Sequence, residues 1–282
     1  MKILVTGGNG MLAQDILAFQ NSSEFSQYTF CAAGKKELDI TNEEALRKTI
    51  EEIRPEIIIN SAAYTKVDDC ESNQSLAFAI NGDALENLGK ICKEKNIKLV
   101  HISTDYVFNG NGTSPYKEEN PVEPASVYGA SKLKGEENIK QSGCDFLIIR
   151  TAWLFGKNGS NFVKTMLNLA EKFPELKVVN DQQGTPTFTR DLAYGILKLI
   201  DGKHSGLYHL TNSGNCTWYD FAQEIFRQFN KEVKVIPVTS EEFIRPAKRP
   251  VFSVLDTTKF TKATNHTMPQ WQEALINYKN IL

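Results

Sequence analysis

The chain has 282 residues, of which 41% are hydrophobic and 23% are charged, as is ordinary for a globular protein. Its formal net charge of −2 gives no reason to expect a nucleic acid or a membrane as partner. The apolar run after Met1 is far too short for a signal peptide, and no run is long enough to span a bilayer. We therefore expect a cytoplasmic protein.

Short β-branched segments alternate with longer segments of helical periodicity, which is the pattern of a parallel sheet with helical crossovers. Several of the strand-like segments are continuously apolar, as strands buried on both faces are. The predicted strands are 2–6, 29–33, 57–60, 98–103, 146–151 and 177–179. The predicted helices are 11–19, 42–53, 72–95, 127–140 and 162–171. The expected fold class is α/β, with a Rossmann-like, doubly wound parallel sheet.

The second half of the chain is less regular. Strand-like segments at 206–211 and 233–238 flank a predicted helix at 218–229, and a final helix is expected to begin near Gln270. We interpret residues 1–155 as a dinucleotide-binding domain, and residues 156–282 as contributions to the sheet plus a smaller substrate-binding lobe. The loop 109–124 is rich in Gly, Asn, Pro and Glu, and it is either a lid over a site or a surface excursion.

The 5 cysteines are scattered, and no two of them share a C-x-x-C spacing. This distribution predicts neither a disulfide framework nor a zinc site. We expect free thiols and no metal site.

A glycine-rich turn, G-G-N-G-M-L-A at 7–13, joins the first predicted strand to the first predicted helix. Such a turn allows close backbone approach, and the helix N-terminus behind it attracts a pyrophosphate. The spacing of Gly7, Gly10 and Ala13 resembles that of the short-chain dehydrogenase/reductase superfamily. We expect a dinucleotide here, in contact with Gly7, Gly10, Met11 and Leu12.

The end of the second predicted strand bears on the choice of dinucleotide. Lys35 and Lys36 follow it, and no carboxylate stands where an adenosine 2′-hydroxyl would be bound. A basic pair can instead accept a 2′-phosphate, which favours NADPH and leaves NADH possible. The alternative is that both lysines are simply solvated.

A phenol and an amine, Tyr128 and Lys132, lie four residues apart on one face of a predicted helix. A nearby cation stabilises a phenolate, so such a pair can exchange protons at neutral pH. Thr104 leaves the carboxyl end of a predicted parallel strand, where α/β enzymes place their chemistry. Tyr194 and Lys198 repeat the spacing within an amphipathic apolar segment, and we predict that this second pair is structural.

Eight segments in chain order resemble the dTDP-4-dehydrorhamnose reductase family of extended short-chain dehydrogenases. They cover nearly the whole chain. The segments are N-S-A-A-Y-T-K-V-D at 60–68, H-I-S-T-D-Y-V-F at 101–108, Y-G-A-S-K-L-K-G-E at 128–136, R-T-A-W at 150–153, N-F-V-K-T-M at 161–166, V-N-D-Q-Q-G-T-P-T at 179–187, W-Y-D-F-A at 218–222 and R-P at 249–250.

The resemblance implies NAD(P)H-dependent reduction of the C4 ketone of a nucleotide-activated deoxysugar, with dTDP-4-dehydro-L-rhamnose as the first candidate. In that family Tyr128 would donate a proton to the C4 oxygen, and Lys132 would lower the pKa of Tyr128 and hold the nicotinamide ribose. Thr104 would hydrogen-bond the carbonyl. Asp105 and Trp153 would contact the sugar. The cofactor would also be lined by Asp39, Ile40, Ala62, Ala63, Tyr64 and Thr65.

Several of these residues have a structural alternative. Trp153 is otherwise a core residue, Asp39 a helix cap, and His101 is predicted to be packed rather than catalytic. The basic segment 245–249 is either solvated or a diphosphate clamp. Met11 stands where the family often has glutamine, which puts activity or substrate preference in question.

Other functions remain open at this stage. A dehydratase is disfavoured because Tyr106 replaces the glutamate that usually follows Asp105 in such enzymes. An epimerase, a reductase of a different ketosugar, and a non-catalytic cofactor-binding subunit are the alternatives. Some relatives dimerise through a metal held by carboxylates, but the surroundings of Arg190 offer no obvious cluster. We expect a monomer or a homodimer.

Overall fold

The computed structural model describes residues 1–282 and contains twelve strands and eleven α-helices. The strands are β1 Lys2–Thr6, β2 Thr29–Ala33, β3 Ile57–Asn60, β4 Lys98–Thr104, β5 Phe146–Thr151, β6 Leu154–Phe155, β7 Glu175–Val179, β8 Gln183–Gly184, β9 Thr187–Phe188, β10 Gly206–His209, β11 Cys216–Thr217 and β12 Lys234–Val238. The helices are α1 Met11–Leu17, α2 Glu43–Ile53, α3 Val67–Ser72, α4 Gln74–Phe78, α5 Ala84–Lys95, α6 Val127–Ser142, α7 Phe162–Ala170, α8 Thr189–Asp201, α9 Trp218–Gln228, α10 Thr258–Thr264 and α11 Trp271–Lys279.

The main sheet has six parallel strands in the order β10-β5-β4-β3-β1-β2. From β1 the chain passes to β2 on one side, and then returns to β3 on the other side. The strand order therefore reverses beside β1, and the carboxyl ends of β1 and β3 flank a crevice of the kind in which doubly wound folds bind ligands. The predicted fold class is confirmed.

Both faces of this sheet are covered by helices. Ile57 and Ile59 of β3 belong to the core shared with α1 and α8, whereas Ile58 points to the core shared with α2, α5 and α6. Successive side chains of a strand point to opposite faces, so a strand buried on both faces has to be apolar throughout. This is why the continuous apolar segments were a reliable signal.

Two predicted strands occupy other places than expected. The segment 206–211, interpreted as part of the C-terminal lobe, supplies β10, which pairs with β5 at the edge of the main sheet. Helix α8 precedes it and packs on α1, and this crossover returns the chain to the sheet. The segment 177–179 lies in β7, which pairs with β12 and not with the main sheet.

The smaller lobe has its own apolar core. Helices α7, α9 and α11 surround aromatic side chains, among them Phe155, Phe188, Phe221, Trp271 and Tyr278. The three two-stranded sheets β6–β9, β7–β12 and β8–β11 complete this part of the fold. The lobe faces the carboxyl edge of the main sheet, where β5 leads directly into β6.

The loop 109–124 is a surface excursion that is fixed to the C-terminal segment. The ring of Tyr116 stacks on Phe108 with centroids 4.2 Å apart. The Tyr116 N–H donates to Val254 O at 2.9 Å, and Glu118 accepts the His209 N–H at 2.9 Å. No residue of this loop lines the cavity described below.

No helix in the structure combines the length and the apolarity that crossing a membrane requires. All 5 cysteines are free thiols. No group of three or more His, Cys, Asp and Glu side chains is arranged to hold a metal ion.

Candidate active site

A cavity of about 670 Å³ opens beyond the carboxyl ends of β1, β3, β4 and β5. Its volume is in the range of small-molecule and cofactor sites. Every site residue predicted from the sequence, Gly7 and Trp153 included, lies on its wall. The topology explains this, because the carboxyl ends of parallel strands share one edge. The role of each residue remains a prediction.

The glycine turn is shaped by close approach to the loop after β3. Gly7 has φ +68°, and a Cβ there would lie 2.7 Å from the Ala62 backbone nitrogen. The Gly10 N–H donates to Gly7 O at 2.7 Å, and α1 begins at Met11. A helix start of this kind leaves backbone N–H groups without intrahelical acceptors, so the cradle fits a dinucleotide pyrophosphate. Met11 Sδ lies 3.7 Å from Asn161 Nδ2, which connects the turn to the start of α7.

Asn81 is a functional candidate that sequence reasoning missed. The predicted helix 72–95 is interrupted by a π-helical turn at Ala79–Asp83 between α4 and α5. There Asn81 is fully buried, its Oδ1 accepts the Tyr64 N–H at 2.8 Å, and its Nδ2 donates to Tyr64 O at 3.0 Å. The same amide donates to Ser131 Oγ on α6 at 3.0 Å. Asn81 thereby holds the cavity wall to the helix that carries Tyr128.

Asp39 is a wall residue and not a helix cap. Its Oδ1 accepts the Thr41 N–H at 3.0 Å and the Thr41 hydroxyl at 2.7 Å, and these bonds lower the pKa of Asp39. The cap of α2 is Asn42, which accepts the Ala45 N–H at 3.0 Å. Asp39 lines the cavity beside Lys35.

Tyr128 and Thr104 meet at the centre of the wall. Tyr128 lies in the first turn of α6, which Ser126 caps by accepting the Gly129 N–H at 3.2 Å. Thr104 ends β4, and its hydroxyl lies close enough to the Tyr128 phenol to influence the pKa of that phenol. Burial raises the pKa of Tyr128, and the neighbouring Thr104 side chain only partly opposes this. The phenol is therefore protonated at neutral pH.

Lys132 is buried, with its amine bound to β4. Nζ donates to Ile102 O at 2.6 Å and lies 3.2 Å from His101 Nε2. Burial lowers the pKa of Lys132 to about 7, against an opposing effect of Glu136. The expectation that Lys132 lowers the pKa of Tyr128 differs from what the structure shows, because burial dominates at the phenol and the amine is not among the groups that shift it.

Asp105 carries a buried carboxylate on the same wall. Its Oδ1 accepts the Thr104 hydroxyl at 3.0 Å, whereas its buried Oδ2 has no protein partner. Burial raises the pKa of Asp105 to about 6, although the nearby Ser253 and Thr104 side chains act in the opposite direction. A buried acceptor without a partner is costly, so Oδ2 is suited to a hydroxyl of a ligand.

The pKa of Asp105 leads to a stability prediction. A carboxyl group whose pKa is raised by folding stabilises the fold below its unfolded pKa, and that contribution is lost as the pH rises through about 6. Asp105→Asn should therefore gain melting temperature relative to wild type between about pH 4 and pH 7.5, as measured by thermal denaturation across this range.

Asp68→Asn is the control, because folding shifts the pKa of Asp68 in the opposite direction. Hydrogen bonds from Arg249 lower the pKa of Asp68, so its contribution is present above the unfolded pKa. The melting temperature of this variant should lie below that of wild type by a nearly constant amount above about pH 5, and the difference should narrow only as the pH falls below about 4. If the difference in melting temperature from wild type changed with pH in the same way for both variants, the assignment of a raised pKa to Asp105 would be wrong.

Trp153 forms the far wall of the cavity. Its indole stacks on Trp218 of α9 with centroids 3.5 Å apart and an interplanar angle of 7°. The Trp153 backbone has φ +48°, and a Cβ on Gly184 would lie 2.5 Å from its ring. The side chain is half-buried and lines the cavity, so it is a wall residue supported from behind by the lobe.

The basic segment 245–249 is fixed at Arg249 and Ala247, whereas its Arg245 and Lys248 side chains are exposed, and none of the segment lines the cavity. Arg249 forms a two-point ion pair with Asp68, with Nη1–Oδ1 at 2.9 Å and Nη2–Oδ2 at 3.1 Å. The Ala247 N–H donates to the same carboxylate at 3.2 Å. These bonds hold the C-terminal segment to the start of α3 next to the site.

Tyr194, the second tyrosine of this spacing, is remote from the cavity. Its hydroxyl donates to Glu24 at 3.0 Å. Its ring packs between Phe25 and His266, with centroid separations of 5.8 and 5.0 Å. This arrangement agrees with the structural role predicted for it.

A glycine cradle at the switch point of a parallel sheet, together with a Tyr, Thr and Lys at its carboxyl edge, defines the class as an extended short-chain dehydrogenase/reductase. The model of the family described as RmlD substrate binding domain matches residues 1–281, and the chain belongs to this family. The family resemblance drawn from the sequence is confirmed.

Three similar proteins illustrate the relationship. The spore coat polysaccharide biosynthesis protein SpsK of Bacillus subtilis is 42% identical over 98% of this chain and 96% of its own. A dTDP-4-dehydrorhamnose reductase structure from Clostridium acetobutylicum is 45% identical, with a TM-score of 0.95 over 100% of this chain and 99% of that one. The dTDP-4-dehydrorhamnose reductase from Bacillus anthracis, solved with NADP, is 40% identical, with a TM-score of 0.96 over 100% and 99% of the two chains.

Proposed function

We propose that this protein reduces the C4 ketone of dTDP-4-dehydro-L-rhamnose to give dTDP-L-rhamnose, with NADPH as the preferred reductant and NADH as the alternative. The observation that carries the proposal is the meeting of Tyr128, Thr104 and Lys132 on one cavity wall next to a dinucleotide cradle. The similarity to reductases acting on this sugar nucleotide supports the choice of substrate.

The chain's own residues supply the acid catalysis and the positioning. A reduced nicotinamide dinucleotide, when bound, supplies the hydride that C4 receives. Tyr128 donates the proton to the carbonyl oxygen, and its raised pKa keeps that proton available. Thr104, once its hydroxyl turns from Asp105 Oδ1 towards the substrate, hydrogen-bonds the same oxygen as negative charge develops on it. Lys132 holds the nicotinamide ribose.

The remaining wall residues divide between cofactor and sugar. The glycine turn with Met11 and Leu12, together with Asp39, Ile40 and the segment 62–65, would hold the dinucleotide. Asp105 and Trp153 would contact the sugar, through the free carboxylate oxygen and the indole face. Residues 1–155 would then bind the cofactor, and residues 156–282 would complete the substrate site.

The preference for NADPH is assigned to one of the two lysines. Both lysines are exposed, but only Lys35 lines the cavity, which Asp39 also lines. Lys35→Ala should raise the KM for NADPH by about tenfold, the effect of one charge-assisted hydrogen bond, with little change for NADH. Lys36→Ala is the matched control and should keep the wild-type ratio of the two KM values in steady-state assays. If the ratio of the KM for NADPH to the KM for NADH were the same in wild type and in Lys35→Ala, the assignment of the NADPH preference to Lys35 would be wrong.

The decisive experiment follows the absorbance of the reduced nicotinamide with purified protein, NADPH and dTDP-4-dehydro-L-rhamnose, and repeats it with NADH. Substrate-dependent oxidation is the expected result. Because a Streptomyces niveus relative that is 36% identical over 96% of this chain is named dTDP-4-keto-6-deoxy-D-glucose reductase, that 4-keto sugar nucleotide is the second substrate to test. Cofactor binding without turnover of either sugar would overturn the proposal in favour of a regulatory subunit.

The proposal includes a cellular setting. We expect the protein to act in the cytoplasm as a monomer or a homodimer, with a nucleotide sugar as its small-molecule partner and without nucleic acid or membrane. The formal net charge of −2 supports the absence of a nucleic-acid role. Sedimentation at several protein concentrations measures the oligomeric state.

A further inference from the structure

A row of buried polar side chains crosses the main sheet beneath the site. Thr6 on β1, Asn60 on β3 and His101 on β4 occupy one register position, Thr6 beside Asn60 and Asn60 beside His101. All three are completely buried. Two positions earlier on each strand, the same face belongs to an apolar core. Buried polar groups in such surroundings are costly unless each one is paired.

The row ends on the amine of Lys132. The Thr6 hydroxyl donates to Asn60 Oδ1 at 2.5 Å, and Asn60 Nδ2 lies 3.1 Å from His101 Nδ1. His101 Nε2 lies 3.2 Å from Lys132 Nζ, which also donates to Ile102 O at 2.6 Å. A continuous hydrogen-bonded path therefore runs from the strand before the glycine turn to Lys132.

Counting donors and acceptors shows that this path has two consistent arrangements. When Asn60 Nδ2 donates to His101 Nδ1, the ring proton is on Nε2, and Lys132 has to accept it as a neutral amine. When Lys132 is an ammonium it donates to Nε2, so the ring proton is on Nδ1. In that case the Asn60 amide is rotated, Oδ1 accepts from Nδ1, and Nδ2 donates to Thr6. The net difference is one proton released to solvent.

We infer that His101 is a positioning residue of the proposed reaction: with Asn60 and Thr6 it holds the Lys132 amine in place in both of its protonation states by exchanging its ring tautomer. A single acceptor, such as a backbone carbonyl, pairs only with a donating amine. An imidazole that can present either a lone pair or an N–H to Nζ pairs with both forms. The inference rests on the proposed function for its catalytic meaning and on the geometry for its proton arrangement.

The electrostatic surroundings fit this assignment. The buried charged groups on the elements packed around Lys132 are Glu136 on α6, Arg150 on β5 and Asp105 after β4. The other charged side chains of these elements are partly or fully exposed: Asp68, Asp69 and Glu71 on α3, Lys134, Glu137 and Lys140 on α6, and Lys98 on β4. Of these, Glu136 acts on the amine and raises its pKa, but burial is the larger effect and lowers that pKa to about 7. Burial, together with the charge of Lys132, holds the pKa of His101 well below its usual range, so the ring itself stays neutral. Lys132 then titrates near neutral pH while His101 only changes tautomer.

Nitrogen-15 spectra of the imidazole rings in the protein alone test this inference. The chain has 4 histidines, and His101→Gln identifies the signals of His101. We expect His101 to stay neutral, with its proton moving from Nδ1 to Nε2 as the pH rises through about 7. In Lys132→Met the ring should keep one tautomer at every pH. A wild-type tautomer that does not change, or a change that persists in Lys132→Met, would overturn the inference.

Kinetics provide a second readout that separates positioning from packing. His101→Leu retains a buried side chain but cannot bond to Lys132 Nζ or to Asn60, whereas the His101→Gln amide offers both a donor and an acceptor. In wild type, kcat should decline above a certain pH. In His101→Leu we expect this pH to be lower by on the order of one unit, which is the effect of one lost charge-assisted hydrogen bond. In His101→Gln it should return towards the wild-type value. Identical profiles would contradict the inference. The spectra need no turnover, so they stand even if the proposed substrate is wrong.

Discussion

Tyr128→Phe should lower kcat for ketosugar reduction by roughly 10²–10⁴-fold, the range for loss of a positioned general acid. The phenol lies beside Thr104 on the cavity wall, and burial keeps its pKa raised. Phenylalanine retains the ring that packs edge-on against Tyr106 with centroids 5.4 Å apart. The fold and cofactor affinity should therefore be nearly unchanged. Steady-state rates together with a titration of NADPH binding measure both effects.

Tyr194→Phe is the matched control for this prediction. It removes the same hydroxyl from the same sequence spacing, but on α8, where the hydroxyl bonds to Glu24 away from the cavity. Its kcat should equal that of wild type. Equal losses at the two tyrosines would mean that the catalytic acid has been placed on the wrong helix, and a loss of NADPH binding in Tyr128→Phe would mean that the phenol acts on the cofactor instead.

The parts of the fold that could be predicted from the sequence are those determined by local pattern. Strands β1 to β5 are apolar because both faces of the sheet are covered, and their predicted bounds differ from the structure by one residue at most. The site followed from the same pattern, because the glycine turn, Thr104 and the start of α6 all come directly after strands or lead into helices at one edge. Predicting the location of the candidate active site therefore required only the strand order and the positions of the strand ends.

What escaped prediction depends on contacts between residues far apart in sequence. Whether 206–211 joined the main sheet or the lobe depended on α8 packing on α1, which no local pattern encodes. The role of Asn81 depended on a π-helical turn inside an otherwise regular helix. The placement of the basic segment 245–249 depends on the ion pair between Arg249 and Asp68, which lies 181 residues earlier in the chain.

The pKa values show a further limit of sequence reasoning. The spacing of Tyr128 and Lys132 predicts that the cation lowers the pKa of the phenol. In the structure both groups are desolvated, so burial raises the pKa of one and lowers that of the other. Sequence spacing indicates which groups are neighbours, but burial decides the direction of their shifts, and burial is a property of the folded chain.

A buried ion pair connects the catalytic helix to the sheet directly behind the site. Arg150 of β5 donates to the two carboxylate oxygens of Glu136 on α6 at 2.8 and 2.7 Å, and Ser103 of β4 donates to the same carboxylate at 2.6 Å. The exposed fractions of the two charged side chains are 2% and 0%. Burial alone would raise the pKa of Glu136, but the bonds from Arg150 outweigh it, so the net pKa is lowered.

Glu136→Gln should destabilise the protein by about 3–5 kcal/mol, because it leaves the Arg150 charge buried without a counter-charge. Chemical denaturation at neutral pH measures the loss. Glu86→Gln, which breaks the exposed pair with Lys90 on α5, is the control and should leave the unfolding midpoint unchanged.

The pH dependence of the Glu136→Gln effect separates charge pairing from packing. A carboxyl group whose pKa is lowered by folding stabilises the fold above its unfolded pKa and loses that contribution as the pH falls. The stability gap between wild type and Glu136→Gln should therefore narrow below about pH 4.5. In the double variant Glu136→Leu with Arg150→Met, part of the lost stability should return, since apolar side chains of similar volume remove the unpaired charge. A gap independent of pH, with no recovery in the double variant, would show that packing of α6 and not the ion pair holds the catalytic helix against the sheet.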